Sequence, residues 1–324
     1  MAGVNIVRIP YKSGASQMAD LIGGQVQVAF VTAANATPYV KAGRLRALAV
    51  GSLQRHELLA EVPTVAESAI PGFDCFLPLK RFEELVATVG LGFLGQTEEI
   101  CPADRKMYAL RDVTGTVESN PLIVASIMSK KLAMNPSGVV ICVGSGSGAF
   151  MRTIDDARTL ARSMTGVAAG AGIASVMLIT DLEPVLGTSV GNAVGVAETA
   201  DFLAGRHRDP RVLELALAVV AEMVVMAGLA PDVDAARALA LARLEDGSAA
   251  ERFERIVVAL GGPAGLVADP ARHLPRAAVI REVHVEAPGY LAGMDAREVG
   301  LTLVALGGGR RTPDETIDFA VGIT

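Results

Sequence analysis

Val139-Val140-Ile141-Cys142-Val143-Gly144-Ser145-Gly146-Ser147-Gly148 is an apolar run that closes on alternating glycines, and its surroundings decide the fold class. The run is rich in β-branched side chains and predicts a strand over 139–143 that opens into a glycine loop. A helix over 153–164 follows, then a second apolar strand over 174–180, an α/β order. The uncharged stretch 163–180 has about the length of a membrane span. Gly166, Gly170 and Gly172 interrupt it, so it reads as a buried helix end, a turn and a strand.

Working outward, helices are expected near 191–203, 210–226 and 234–244. Ser248-Ala249-Ala250-Glu251 has the spacing of a capping box for a helix through Leu260. Beyond Pro275 the pattern turns to β, over 278–285, 289–292 and 301–306. Upstream, a helix is expected over 81–89 and a short strand over 90–95. Another helix starts at about Glu118, with Pro121 in its first turn and Leu122, Ile123, Ile127 and Leu132 at helical spacing. The first 75 residues alternate strand and helix: 4–9, a short helix stopped by Gly23-Gly24, a strand through Val26, Val28 and Phe30, a helix over 36–42, and 45–50. Such alternation implies parallel βαβ units, and three strands make part of a lobe. Pro71-Gly72 marks the turn past which the texture changes.

At 324 residues the chain is long enough for about two domains. With 51% hydrophobic and 20% charged residues it has ample apolar surface to offset chain entropy, which excludes disorder. A net charge of −6 excludes a general nucleic-acid binder, which needs a basic face for phosphates. The expected partner is a small molecule, with neither nucleic acid nor membrane. No basic-then-apolar leader stands at the N-terminus, and a cytoplasmic location is expected. Cys75, Cys101 and Cys142 suit neither a disulfide framework nor a zinc site. His56, His207, His273 and His284 are scattered without metal-ligand spacing. The loop 144–148 follows a strand and precedes a helix, so it serves either as an anion cradle or as a tight connection. Ser126 and Lys130, four apart, share one helix face; a solvated face and a ligand-contacting face are both compatible with that spacing. Gly307-Gly308-Gly309-Arg310-Arg311 reads as a turn with two surface cations.

Longer words carry a resemblance. Gly95-Gln96-Thr97, Pro102-Ala103-Asp104-Arg105, Tyr108 through Thr114, Glu118-Ser119, Ser126-Ile127-Met128-Ser129-Lys130-Lys131-Leu132, Gly146-Ser147-Gly148-Ala149-Phe150-Met151, Ile179-Thr180-Asp181, Gly191-Asn192-Ala193 and Gly307 to Arg311 with Ile317-Asp318 occur in order. From about Phe82 to Thr324 the chain thereby resembles thymidine phosphorylase and its pyrimidine-nucleoside phosphorylase relatives. From Ala2 to about Phe73 it resembles the second lobe of solute-binding proteins of tripartite tricarboxylate transporters. The words there are Pro10-Tyr11-Lys12, Met18 through Val26, Lys41 through Val50, and Val62 through Glu67. The switch falls between Glu67 and Asp74, inside Ile70-Pro71-Gly72-Phe73.

The resemblance implies a chimeric chain of the α/β class. Residues 1–73 form a periplasmic-binding-protein-like fragment, 74–134 a helical base-binding segment, 135–270 the phosphorylase α/β domain and 271–324 a C-terminal β-rich region. It implies phosphorolysis of thymidine to base and 2-deoxyribose 1-phosphate, with inorganic phosphate as co-substrate and no organic cofactor. Arg111, Ser126 and Lys130 are implied as the catalytic and base-binding trio. A monovalent cation is implied at the Leu186 and Ser189 carbonyls and Glu198, and a homodimer is inherited from the family. The family's Lys-His-Ser phosphate loop has no counterpart in residues 1–75. Its Asp-Val-Lys-Val stretch has become Cys142-Val143-Gly144-Ser145, and a Glu has become Gly195. Turnover is therefore expected to be weak or absent. Two alternatives stay open: small-carboxylate binding by residues 1–73, and an inactive, partly folded chimera.

Overall fold

The structure, a computed structural model, describes residues 14–26, 29, 31, 33–45, 69–95, 100–104, 107, 119–284, 289–310 and 316–324. The chain divides into two compact units, Met1–Glu67 and Ser68–Thr324. In the first, helix α1 spans Gly14–Ile22 and α2 spans Ala33–Lys41. α1 stops at the expected glycine pair, where Gly24 takes a left-handed φ of 75°. The strands expected over 4–9 and 45–50, and most of that through Val26, Val28 and Phe30, lie outside the described residues.

The second unit is built around one parallel pair. β1 (Gly138–Ser145) and β2 (Ala174–Asp181) run side by side with Gly138 opposite Ala174 and Ser145 opposite Asp181. A parallel pair needs a crossover, and α5 (Ile154–Gly170) supplies it. The Thr153 hydroxyl accepts the Asp156 N–H at its start, and Asp155 and Asp156 sit in its first turn, where acids favour the helix dipole. The uncharged stretch after Ser163 is a helix end, a turn at 171–172 and β2, as the glycine spacing requires. α4 (Asn120–Ala133), with Pro121 in its first turn, packs Ile123, Val124 and Met128 into a core with Val143, Leu160 and Met164.

Beyond β2 come β3 (Val190–Gly191), α6 (Asn192–Leu203), α7 (Pro210–Met226), α8 (Val233–Glu245) and α9 (Ser248–Ala259). α7 starts where Asp209 caps it, accepting from Arg211 and Val212 N–H, with Pro210 in its first turn. α3 (Leu79–Val89) joins α9 through a second core of Leu85, Val89, Ile256 and Leu260. Ile70, Val257 and Leu266 form a third, with Phe73 packed against both. α10 (Pro270–His273), α11 (Ala296–Ala305) and β4 (Gly322–Ile323) complete the order, β4 pairing antiparallel with β3. The described residues confirm a mixed α/β class.

Five local expectations are corrected. The stretch 301–306 belongs to helix α11, because the Asp295 carboxylate accepts from Arg297 and Glu298 N–H and starts a helix upstream of the apolar run. Periodicity alone does not separate a short apolar strand from a helix end. Residues 90–95 form no strand: Gly90 closes α3 in a left-handed conformation, and Gly95 N–H reaches the Cys75 carbonyl at 2.7 Å outside any ladder. Ser248 is the first residue of α9 and not its cap. Gly247 enters with a φ of 81°, and the Ser248 hydroxyl donates back to the Asp246 carboxylate at 2.6 Å. Nor do 278–284 and 289–292 form strands; Val279, Ile280, Val283, Tyr290 and Leu291 stand exposed there.

Met164 is 1% exposed between α5 and its core partners. Met164→Ala should cost about 2–5 kcal/mol, the range for truncating a buried side chain of this size. Urea denaturation followed by circular dichroism measures it, and a cost under about 1 kcal/mol contradicts this packing.

Candidate functional site

α4 presents two polar side chains beside its buried apolar face. Ser126 is itself buried at 6% exposure, and Lys130, one turn on, lies partly open. The helical spacing brings their heads together: the Lys130 ammonium donates to Ser126 Oγ at 2.8 Å. It also donates to Asp104 Oδ2 at 2.7 Å. Asp104, in the helical residues 102–104, is 5% exposed, so its charge has left water and needs this partner. A lysine has three donors; the third finds no acceptor among the described residues. Lys130 and Lys131 also occupy the last turn of α4, where cations favour the helix dipole.

Ser126 and Lys130 are thus brought together, whereas Arg111 lies outside the described residues. Asp104 went unrecognised from sequence as a site residue. It sits 26 residues from Lys130, which no helical or strand period connects. The one signal was its place in the Pro102-Ala103-Asp104-Arg105 word.

The glycine loop resolves as a tight connection. Gly146 N–H is held by the Met151 carbonyl at 3.0 Å and Gly148 N–H by that of Leu182 at 3.0 Å. Ser147 N–H meets the Glu183 carboxylate at 2.8 Å, so the anion at this loop is the chain's own. Gly146 adopts a φ of 122°, and a Cβ there would stand 2.7 Å from the Glu183 nitrogen. The Ser147 hydroxyl accepts the Ala296 N–H at 3.1 Å, so the loop also anchors the start of α11. Just before it, Cys142 replaces the acid of the resembled pattern; partial burial pushes its thiol up, so it holds no charge at neutral pH.

A second polar cluster gathers between the β2–β3 connection and α6. Glu198 accepts from Thr188 N–H at 2.8 Å, from the Thr188 hydroxyl at 3.1 Å and from the Ser189 hydroxyl. Burial pushes the Glu198 carboxyl up, but these hydrogen bonds outweigh it and hold the group below its ordinary range. Ser189 and Glu198 are therefore adjacent. A carboxylate with carbonyls is an oxygen donor set of the kind hard cations take, and here both Glu198 oxygens are met by Thr188 and Ser189.

The glycosyl transferase family a/b domain matches residues 66–250, more than half of the sequence. The chain belongs to that family. The pyrimidine nucleoside phosphorylase C-terminal domain matches residues 290–324, and the tripartite tricarboxylate transporter family receptor matches residues 1–83. The chain is accordingly a chimera, phosphorylase-like after a receptor-like N-terminal segment. The function these matches support is nucleoside-phosphorylase-like. Among the described residues no helix is long and apolar enough to cross a membrane.

The lowered Glu198 carboxyl gives a pH signature. Its folded pKa lies below the unfolded value, so the stabilisation is present above about pH 4.3, the usual Glu value, and is lost as pH falls through the folded pKa. Glu198→Gln should flatten the fall in Tm on acidification below that pH relative to the parent chain, read by thermal melts across pH 3 to 6, ~1.5 units either side of the usual value. Superimposable acid limbs in the two proteins would show that Glu198 carries no such linkage.

Proposed function

We propose that this chain recognises the pyrimidine of thymidine through Lys130, Ser126 and Arg111, and that its phosphorolysis of thymidine is weak. The observation that carries this reading is the Lys130 ammonium fixed 2.8 Å from the buried Ser126 hydroxyl. As a glycosidic bond breaks, negative charge grows on the departing pyrimidine. Donors fixed at its carbonyls favour that state over the bound substrate. Lys130 supplies a point charge, Ser126 a hydroxyl hydrogen for the ring imide, and Arg111 a planar fork. A monovalent cation held at Glu198 with the Leu186 and Ser189 carbonyls would brace the β2–β3 connection.

Weak turnover follows from the phosphate side. No Lys-His-Ser word occurs in the 324 residues, and the loop after β1 spends its amides on Met151, Glu183 and Leu182. A cytoplasmic location and a homodimer accompany this reading. A second reading, that residues 1–73 bind a small carboxylate, is favoured by the receptor match. Calorimetry with citrate tests it, and the absence of heat would remove it.

The decisive assay follows thymine release from thymidine with inorganic phosphate. Missing phosphate ligands should leave the rate at least about 100-fold below that of a pyrimidine nucleoside phosphorylase carrying the Lys-His-Ser loop. A comparable rate refutes the impairment. Thymine should still bind, and Lys130→Ala should weaken it about tenfold or more, as loss of a charged hydrogen bond does. Unchanged binding in that variant refutes the assignment of Lys130.

A further inference from the structure

The geometry points to Asp104 as the positioning residue that aims the Lys130 ammonium at the bound pyrimidine, an inference that rests on the reading of Lys130 as a base donor. A lysine head rides on a flexible four-carbon stem, and left alone it samples many positions. Here it is clamped from two sides. Asp104 Oδ2 holds it at 2.7 Å from one segment, and Ser126 Oγ holds it at 2.8 Å from its own helix. These fixed acceptors consume two of the three ammonium hydrogens and define the direction of the third.

The burial asymmetry shows which partner is the anchor. Asp104 is 5% exposed and Lys130 29% exposed, so the carboxylate is the desolvated member and the ammonium the one that reaches outward. A buried carboxylate is costly unless a cation meets it, which ties the placement of residues 102–104 to the lysine. Other ion pairs among the described residues of the second unit differ. Arg237–Glu214, Arg158–Asp155 and Arg206–Asp201 have acids 67%, 88% and 40% exposed. Those are solvated surface pairs of small energetic weight. Asp104 touches no ligand in this scheme; it acts through Lys130.

Two readouts test this. In the first, trinitrobenzenesulfonate labels lysines and peptide mass spectrometry gives the ratio of label at Lys130 to label at its exposed neighbour Lys131. The reagent has to reach a nitrogen held between Asp104 and Ser126, so the clamped head labels slowly. Asp104→Asn should raise the ratio by about fivefold or more, while Asp104→Glu, which keeps the charge, holds it near the parent value. An unchanged ratio in Asp104→Asn overturns the inference, as does an equal rise in both variants. In the second, thymine affinity is measured by calorimetry in a double-mutant cycle. Asp104→Asn should lose about tenfold in the parent chain and nothing further in a Lys130→Met background. Equal losses in both backgrounds assign Asp104 a merely structural role and overturn the proposal. If the parent chain fails to bind thymine while the labelling ratio responds as stated, the base-recognition reading falls and the clamp on Lys130 stands.

Discussion

The burial of α4 against α5 and β1 is the constraint on which the site depends. Ile123, Val124 and Met128 enter one core with Val143, Leu160 and Met164. Because a helix is a rigid rod with fixed angular spacing, burying that face sets where Ser126 and Lys130 emerge. The parallel register of β1 and β2 fixes the far side of the same core. It also sets the two strand ends from which the glycine loop and Glu183 depart. The polar chemistry is thus positioned by apolar packing several residues away.

The parts of this architecture legible in sequence are those with strong local punctuation. α7 begins at Pro210 after the Asp209 cap and ends at Met226, where helical apolar spacing gives way to Ala227-Gly228. The stretch after Ser163 was readable because Gly170 and Gly172 leave a helix little choice but to end. Where local signals compete, tertiary context decides. The apolar stretch 301–306 suits a strand or a helix, and the Asp295 cap settles it for the helix. Ser248 has the right spacing for a cap, yet Gly247 takes the left-handed entry and leaves the serine inside.

The site divides along the same line. Ser126 and Lys130 lie four apart on one helix, a relation visible in sequence, although spacing alone left their surroundings open. Asp104 comes from another segment, and only folding brings its carboxylate under the ammonium. The glycine loop shows the converse. Its sequence permits an anion cradle, and the competitor for its amides, Glu183, is 36 residues from Ser147. A carboxylate that arrives through the strand register is invisible to any local pattern.

Gly72 and Gly261 meet backbone to backbone, a Cβ on either standing 2.6 Å from the other's carbonyl oxygen, and both take positive φ. Nearby, the Asp74 N–H reaches the Leu260 carbonyl at 2.8 Å. Gly72 lies within the span shared by the receptor match and the transferase match, 66–83. A contact made by bare main chain demands nothing of side-chain identity beyond glycine at both places. That one contact therefore survives a splice between sequences of either lineage that carry the Pro-Gly-Phe word, while Ile70 and Phe73 on either side still pack into the cores. The overlap of the two ancestries thus contains a contact for which the glycine alone, and not its ancestor, matters.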